Sequence, residues 1–258
     1  MSLGKKNYDT RLNRIYYTNM SIHKFVSRNF SVEVDFKKVF EYLKSVNKGK
    51  NPSQKIKLAA ILMKAVAITY AYTAPDGTQP YRRLSGYPPL FPWQQSFESK
   101  TIDISLMLVR EFNGNKNQTL NYRFKAVDNE SILDLSKQLF EIQTVDENQV
   151  PQFQFLKKLT KLPLFLFYLI FQLTKIPSIR AISTAPTSIS ILNEYEGEFF
   201  GEHINVFSLG KINQENYIAN LNWTVDHRLG FGVHFGPFLN HIKGLLEAPN
   251  LFLDEKID

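Results

Sequence analysis

The sequence contains no cysteine, and this absence removes several kinds of chemistry at once. Disulfides, thiolate metal sites and cysteine nucleophiles are all excluded, and we expect no metal site. The sequence also lacks a dense run of lysine and arginine, although its formal net charge is +7. That charge favours an anionic ligand such as a nucleotide phosphate, but a basic surface without a partner explains it equally well. No nucleic-acid partner is expected.

No hydrophobic run is long enough to cross a membrane, which needs about 20 residues. The most apolar segment, LPLFLFYLIF at 162–171, is much shorter and is flanked by lysines at 157, 158, 161 and 175. We interpret it as a buried or interface helix. The lysines leave peripheral, in-plane membrane contact through 162–171 as a second interpretation. The N-terminal residues MSLGKKNYDTRLNR lack the apolar core of a signal peptide, so a cytoplasmic protein is expected.

What the sequence does have is enough apolar residues, 43% of the chain, for a substantial core. Apolar residues alternate in several short segments, which predicts strands, and recur at helical spacing in others, which predicts helices. The predicted strands include 30–34, 101–109, 187–192, 203–208 and 217–225, and the predicted helices 36–46, 55–72, 131–143 and 235–246. There is no repeat and no obvious linker. We therefore expect residues 1–258 to form a single α+β domain with a mixed or antiparallel sheet.

The stretch NWTVDHRLGFG at 222–232 places charged groups directly after a predicted apolar strand. Asp226, His227 and Arg228 are adjacent there, and Gly230 and Gly232 allow the backbone to pass close by. A neutral imidazole is the natural base for a thiol or hydroxyl near pH 7, which makes His227 the candidate catalytic residue. Nothing converges around the other histidines, which we interpret as structural: His23, His203, His234 and His241.

The segment DHRLGFGVHFGPFLNHIKGLLEAPNLFL resembles the C-terminal signature of the dihydrolipoamide acyltransferases, the catalytic domains of 2-oxoacid dehydrogenase complexes. In that family Asp-His-Arg is followed by two residues, Asp-Gly and a helix reading roughly FLN..K.LLE.P. Chloramphenicol acetyltransferase carries a related His-x-x-x-Asp-Gly motif. NFSVEVDFKKVFEYLKSVNK, KIKLAAILMKAVAITY and TIDISLMLV are similar to the family's first strand and helix, central helix and following strand. The resemblance extends from about His23 to Leu253.

The resemblance implies a fold and a mechanism. The fold is a chloramphenicol acetyltransferase-like α+β sandwich, with a mixed sheet flanked by helices, that forms a homotrimer with active sites between subunits. His227 would deprotonate a thiol or hydroxyl that attacks an acyl thioester such as acyl-CoA, with Asp226, Arg228 and Gly232 supporting the motif. A hydroxyl residue of the facing subunit would stabilise the oxyanion. Ser188 is our first candidate, and Ser190 and Thr187 are the alternatives.

One position departs from the family pattern. Phe231 stands where the family carries the aspartate of Asp-Gly, which forms an ion pair that supports the site. Phenylalanine cannot form that pair, so a partner arginine would be costly to bury alone. Two outcomes follow from this substitution. Either other contacts, from Asp226 or the backbone of the histidine, hold His227 in place, or the site is silent and the trimer serves another purpose.

Neither a lipoyl domain nor a peripheral-subunit-binding domain is expected in this sequence, because those modules and their linkers need a longer chain. The sequence therefore predicts a free-standing CoA-dependent acyltransferase that moves an acyl group between a thioester and an unknown small thiol, hydroxyl or amine acceptor. The competing hypothesis is a catalytically silent trimeric binding or scaffold protein of the same fold. The exposed apolar surface expected of 162–173 also favours a homotrimer.

Overall fold

The computed structural model describes residues 3–5, 27–86, 97–99, 101–112, 114–163, 165, 166, 169, 173, 185–192, 205–229 and 232–253. The strands of this part are β1 Leu3–Lys5, β2 Ser27–Asp35, β3 Phe97–Ser99, β4 Ile104–Phe112, β5 Asn115–Phe124, β6 Thr187–Ile191, β7 Asn205–Leu209 and β8 Ile218–Asp226. The α-helices are α1 Lys37–Val46, α2 Leu58–Ala71, α3 Ile132–Thr144, α4 Pro151–Thr160, α5 Gly232–Glu247 and α6 Asn250–Leu253. Among the 3-10 turns of the described chain are Arg82–Ser85 and His227–Leu229.

Six of these strands form one sheet in the order β2-β8-β7-β6-β4-β5. Strand β6 runs parallel to both of its neighbours, β4 and β7, whereas the remaining pairs are antiparallel. β1 and β3 form a separate antiparallel pair. The expected α+β fold with a mixed sheet is therefore confirmed, and the sheet places the end of β8 beside the start of β2.

Local sequence explains where the elements begin and end. The alternation in 101–109 and the turn residues after it form the hairpin of β4 and β5. Helix α3 begins after Ser131, whose hydroxyl accepts a hydrogen bond from the Asp134 amide, as an N-cap residue does. Phe36 occupies the N-cap position of α1. The carboxylate of the preceding residue, Asp35, accepts a hydrogen bond from the amide of Lys37, which satisfies one free helical N–H.

The core lies between the helices and one face of the sheet. Trp223 of β8 is fully buried and stacks on Phe207 of β7, with ring centroids 5.4 Å apart. Phe238 and Phe235 of α5 cover the same indole at 4.7 and 5.5 Å. Helix α2 is apolar nearly all round, as the sequence indicated, and it is buried on most of its circumference. This aromatic layer fixes β8 and α5, which are the strand and the α-helix on either side of His227.

The described residues of the apolar segment after α4 lie outside this core. Leu162, Phe165, Leu169 and Leu173 are all exposed in the single chain. Of the two alternatives expected for 162–171, a buried helix is therefore wrong for these residues, whereas an interface helix stays a prediction. Among the residues that the structure describes, no helix is both long and apolar enough to cross a membrane.

Candidate functional site

His227 lies at the C-terminal end of β8, where the strand passes into the 3-10 turn His227–Leu229. Its side chain is half-buried. The imidazole meets the ring of Phe235 edge-on, with centroids 5.6 Å apart and an interplanar angle of 79°. Phe235 in turn packs on Phe30 of β2 at 5.2 Å. One side of the imidazole thus rests on the aromatic core, which limits the orientations that the ring can take.

The two charged neighbours of His227 bind each other. The Asp226 carboxylate accepts hydrogen bonds from the Arg228 guanidinium, with Nη2 2.6 Å from Oδ2 and Nε 3.0 Å from Oδ1. The same Oδ1 accepts from the Arg228 backbone amide at 2.9 Å. Asp226 is buried to 8% exposure. The pair therefore bridges across His227 and holds the turn that presents the imidazole.

Burial is the main cause that lowers the pKa of His227 below its ordinary value of 6.5, and the positive charge of Arg28 lowers it further. A hydrogen bond to its own backbone and the negative charge of Asp226 oppose this effect. The net direction keeps the imidazole neutral near pH 7. A neutral imidazole has the lone pair that a general base needs.

The three candidate hydroxyls of β6 differ in where they point. Thr187 faces the helices, and its hydroxyl donates to the Tyr70 phenol of α2 at 3.2 Å. Ser190 lies on the opposite face and contacts the sulfur of Met107 at 3.2 Å. Ser188 shares that opposite face and is 2% exposed. Among the described residues the Ser188 hydroxyl has no hydrogen-bond partner. Of the three candidates, Ser188 is therefore the one whose hydroxyl is not used in a contact within the described part of the chain.

Ser188 and His227 do not meet within one chain. Ser188 pairs with Val206, and Val206 pairs with Thr224 of β8, three residues before His227. Two strand spacings separate the two residues across the sheet, and three residues separate them along the strand direction. Their backbones are therefore about 10 Å apart in each of these two directions. Their side chains also leave from opposite sides of the sheet. A shared site for these residues requires a second copy of the chain.

The remaining residues of the motif are only partly described. Gly232 is the first residue of α5. Gly230 and Phe231, the position that departs from the family pattern, lie outside the described residues. In the described ranges no three His, Asp or Glu side chains are grouped as a metal site would need.

The other described histidines have ordinary structural contacts, in keeping with their interpretation from sequence. His241 Nδ1 lies 3.0 Å from the Thr69 hydroxyl, and the imidazole packs on Tyr72 with centroids 4.7 Å apart. Burial lowers the pKa of His241. His234 Nδ1 lies 3.2 Å from the Arg83 guanidinium. His23 and His203 lie outside the described residues.

Arg28 and Phe235 are the two neighbours of His227 that sequence reasoning missed. Arg28 pairs with Val225 in the antiparallel contact of β2 with β8, and so it comes close to the end of β8. The alternation of both strands was visible in the sequence, but their register was not. Phe235 was recognised only as part of the apolar face of the last helix.

Solved structures share this architecture. A probable dihydrolipoamide acetyltransferase from Listeria monocytogenes superposes with a TM-score of 0.60 at 15% identity, over 99% of this chain and 97% of that one. The dihydrolipoamide acetyltransferase of Azotobacter vinelandii gives 0.60 at 17%, over 97% and 94%. A chloramphenicol acetyltransferase gives 0.58 at 13%, over 95% and 100%. The sequence itself matches no protein-family model and no curated protein.

The chain therefore has the chloramphenicol acetyltransferase-like fold, which the catalytic domains of dihydrolipoamide acetyltransferases share. The fold agrees with the resemblance seen in the sequence.

Proposed function

We propose that this protein is a free-standing acyltransferase that uses acyl-CoA and a small thiol, hydroxyl or amine acceptor, with His227 as the general base. The observation that carries the proposal is the half-buried imidazole at the end of β8, kept neutral by burial and by Arg28. The base would take the acceptor's proton as the acceptor attacks the thioester carbonyl. The CoA thiolate would then leave with that proton.

The Asp226–Arg228 pair supports this role by fixing the turn on both sides of His227. Two charges so close together at low exposure hold a defined geometry, and a base must be held within hydrogen-bond reach of its substrate. The pair also offers the contacts that could replace the ion pair lost at Phe231.

We also propose that the active species is a homotrimer in which Ser188 of one subunit faces His227 of the next. The separation of the two residues within one chain supports this arrangement, because a single chain cannot bring them together. Ser188 would donate its hydroxyl to the oxyanion of the tetrahedral intermediate. The solved neighbours include the cubic core of a pyruvate dehydrogenase complex, an oligomer of this fold. A cytoplasmic location stays a prediction.

A catalytically silent trimeric scaffold is the second candidate, and Phe231 is the observation that favours it. The catalytic mechanism of the Azotobacter vinelandii enzyme has been investigated at a serine, a histidine and an asparagine four residues beyond that histidine. Phe231 stands four residues beyond His227 and has no polar group. If a polar side chain at that position is indispensable for catalysis, this chain keeps the fold but has no turnover.

The test is a thiol-release assay with acetyl-CoA and a panel of small acceptors, performed on the parent chain and on His227→Ala. We expect turnover in the parent and a loss of about 100- to 10,000-fold in the variant, which is the usual contribution of general-base catalysis. His241→Gln is the matched control, because His241 is also half-buried with a lowered pKa but contacts Thr69 instead. The control should retain the parent's rate.

Binding separates the two candidates where turnover is absent. An acyltransferase should bind CoA, more weakly at high salt because the phosphates meet basic side chains. A parent that shows no heat of binding with millimolar CoA and no turnover would support the scaffold. A parent with turnover that His227→Ala leaves unchanged would contradict the proposed base.

A further inference from the structure

An exposed apolar stripe follows α4. It consists of the exposed residues Leu162, Phe165, Leu169 and Leu173, together with the half-buried Leu166, and the last four positions are helical. The spacing of three and four residues puts them on one side of a helix. Phe165 is 71% exposed, Leu169 56% and Leu173 45%, whereas large apolar side chains of the core are below 10%. A contiguous apolar face of this kind marks a contact surface.

The chain around the apolar stripe is basic throughout. Between Glu147 and Glu194 the sequence has no acidic residue, but it has five basic ones, Lys157, Lys158, Lys161, Lys175 and Arg180. Lys158 and Lys161 are exposed directly before the stripe, and neither has an ion pair among the described residues. Lys157 is different, because it binds Glu147. The stripe therefore begins at a positive surface without local neutralisation.

A contact of the stripe with the same stripe of a second copy is disfavoured. A twofold axis would bring identical lysines together there, which costs energy. The stripe also begins away from His227 of its own subunit. Helix α4 packs on β5 through Gln152, which bonds Arg123 and Asn121, and β5 is the sheet edge opposite β2.

We propose that the apolar stripe docks in the interface of an anionic phospholipid membrane, with Lys158 and Lys161 at the level of the headgroups. An apolar face bounded by lysines, on a segment too short to span, is the pattern of an in-plane membrane contact. The leucine and phenylalanine side chains enter the acyl boundary, and the lysines contact the phosphates. This surface is separate from the site of acyl transfer and does not depend on that activity.

The experiment is vesicle sedimentation of the full chain with phosphatidylcholine vesicles and with vesicles that also contain phosphatidylglycerol. We expect binding to the anionic vesicles, weakening with salt. Phe165→Asp combined with Leu169→Asp should reduce the bound fraction by at least about tenfold. Lys158→Gln combined with Lys161→Gln should reduce it by about fivefold per lysine.

Two controls test whether the effect belongs to this surface. Val109→Asp changes another exposed apolar residue, 62% exposed on β4, and Lys44→Gln with Lys48→Gln removes two exposed lysines at the end of α1. Both should bind vesicles like the parent. All of these positions are exposed, so the melting temperature should stay near that of the parent, which confirms that the variants are folded.

Three results would overturn the proposal. The first is a parent that does not bind anionic vesicles. The second is binding that the stripe variants leave unchanged. The third is a parent that ignores vesicles but forms an oligomer that Phe165→Asp with Leu169→Asp dissociates, because the stripe is then an interface between copies of this chain.

Discussion

The face of the sheet that the helices cover is aromatic, whereas the opposite face carries small hydroxyl side chains. On the covered face Phe207 and Trp223 stack with Phe238 into one continuous layer. On the other face the buried polar residues of β4, β6, β7 and β8 lie side by side: Ser105, Ser188, Ser190, Ser208 and Thr224. Small hydroxyls bury little apolar area but offer donors, so we assign most of the stability to the first face and the proposed oxyanion donor to the second.

The first prediction tests the aromatic face and is the largest in free energy. Trp223→Ala should lower the free energy of unfolding by about 3–5 kcal/mol, because the cavity left among Phe207, Phe235 and Phe238 cannot close fully. Ser190→Ala, on the opposite face, removes only one hydroxyl contact and should cost about 1 kcal/mol or less. Urea unfolding of both variants measures the difference. Equal losses would show that the two faces do not differ in this way.

The sequence predicted the aromatic face better than the hydroxyl face, for a physical reason. Alternation alone shows that Leu221, Trp223 and Val225 share one side of β8, because side chains of a strand alternate. The three hydroxyls of β6 follow the same rule, since Thr187 shares one side with Ile189 and Ile191, and Ser188 and Ser190 share the other. Alternation does not say which of the two serines contacts a neighbouring strand. That depends on the register with β4, where Met107 meets the Ser190 hydroxyl.

The same limit applies around His227. Asp226 and Arg228 flank His227 in the sequence, and their interaction is local enough to be anticipated from the motif. Arg28 lies 199 positions earlier in the chain (227 − 28) and comes close to His227 only through the pairing of β2 with β8. Register between distant strands depends on the complete sheet, which a single sequence does not give. Residues that tune a site from another strand were therefore not predictable.

The second prediction tests the hydroxyl face through the proposed acyl transfer. Ser188→Ala should lower kcat by about 100- to 1,000-fold with little change in KM, because an oxyanion donor acts mainly in the transition state. Ser190→Ala should retain most of the rate, since its hydroxyl contacts Met107. Thr187→Val, on the helical face, should also be active. Steady-state kinetics of the three variants decide among the hydroxyls, and a larger loss for Ser190→Ala would reassign the donor.

The third prediction is the smallest and concerns the edge where both faces meet, at the end of β8. Because the pKa of His227 is lowered, kcat/KM should rise with pH, reach half of its maximum at a pH below 6.5 and level off above that midpoint. Arg28→Ala removes one of the two causes that lower this pKa, so the midpoint should move upward. Burial is the larger cause, and it remains. Added salt should shift the parent in the same direction, because Arg28 is exposed and its charge is screened.

The free energy of unfolding should also depend on the protonation of His227. Between the lowered pKa of His227 in the folded state and the ordinary value of 6.5 in the unfolded state, the unfolded chain binds more protons. The contribution of His227 to the free energy of unfolding therefore increases with pH through that window and is constant above it. Arg28→Ala narrows this pH window, whereas Lys38→Ala removes a positive charge from α1 that does not shift the pKa of His227 and should leave the window unchanged. A pH–rate profile measures the midpoint of kcat/KM, and melting temperatures from pH 5 to 7 (about the range where histidine titrates) measure the effect on stability. A kinetic midpoint above 6.5 in the parent would contradict the lowered pKa.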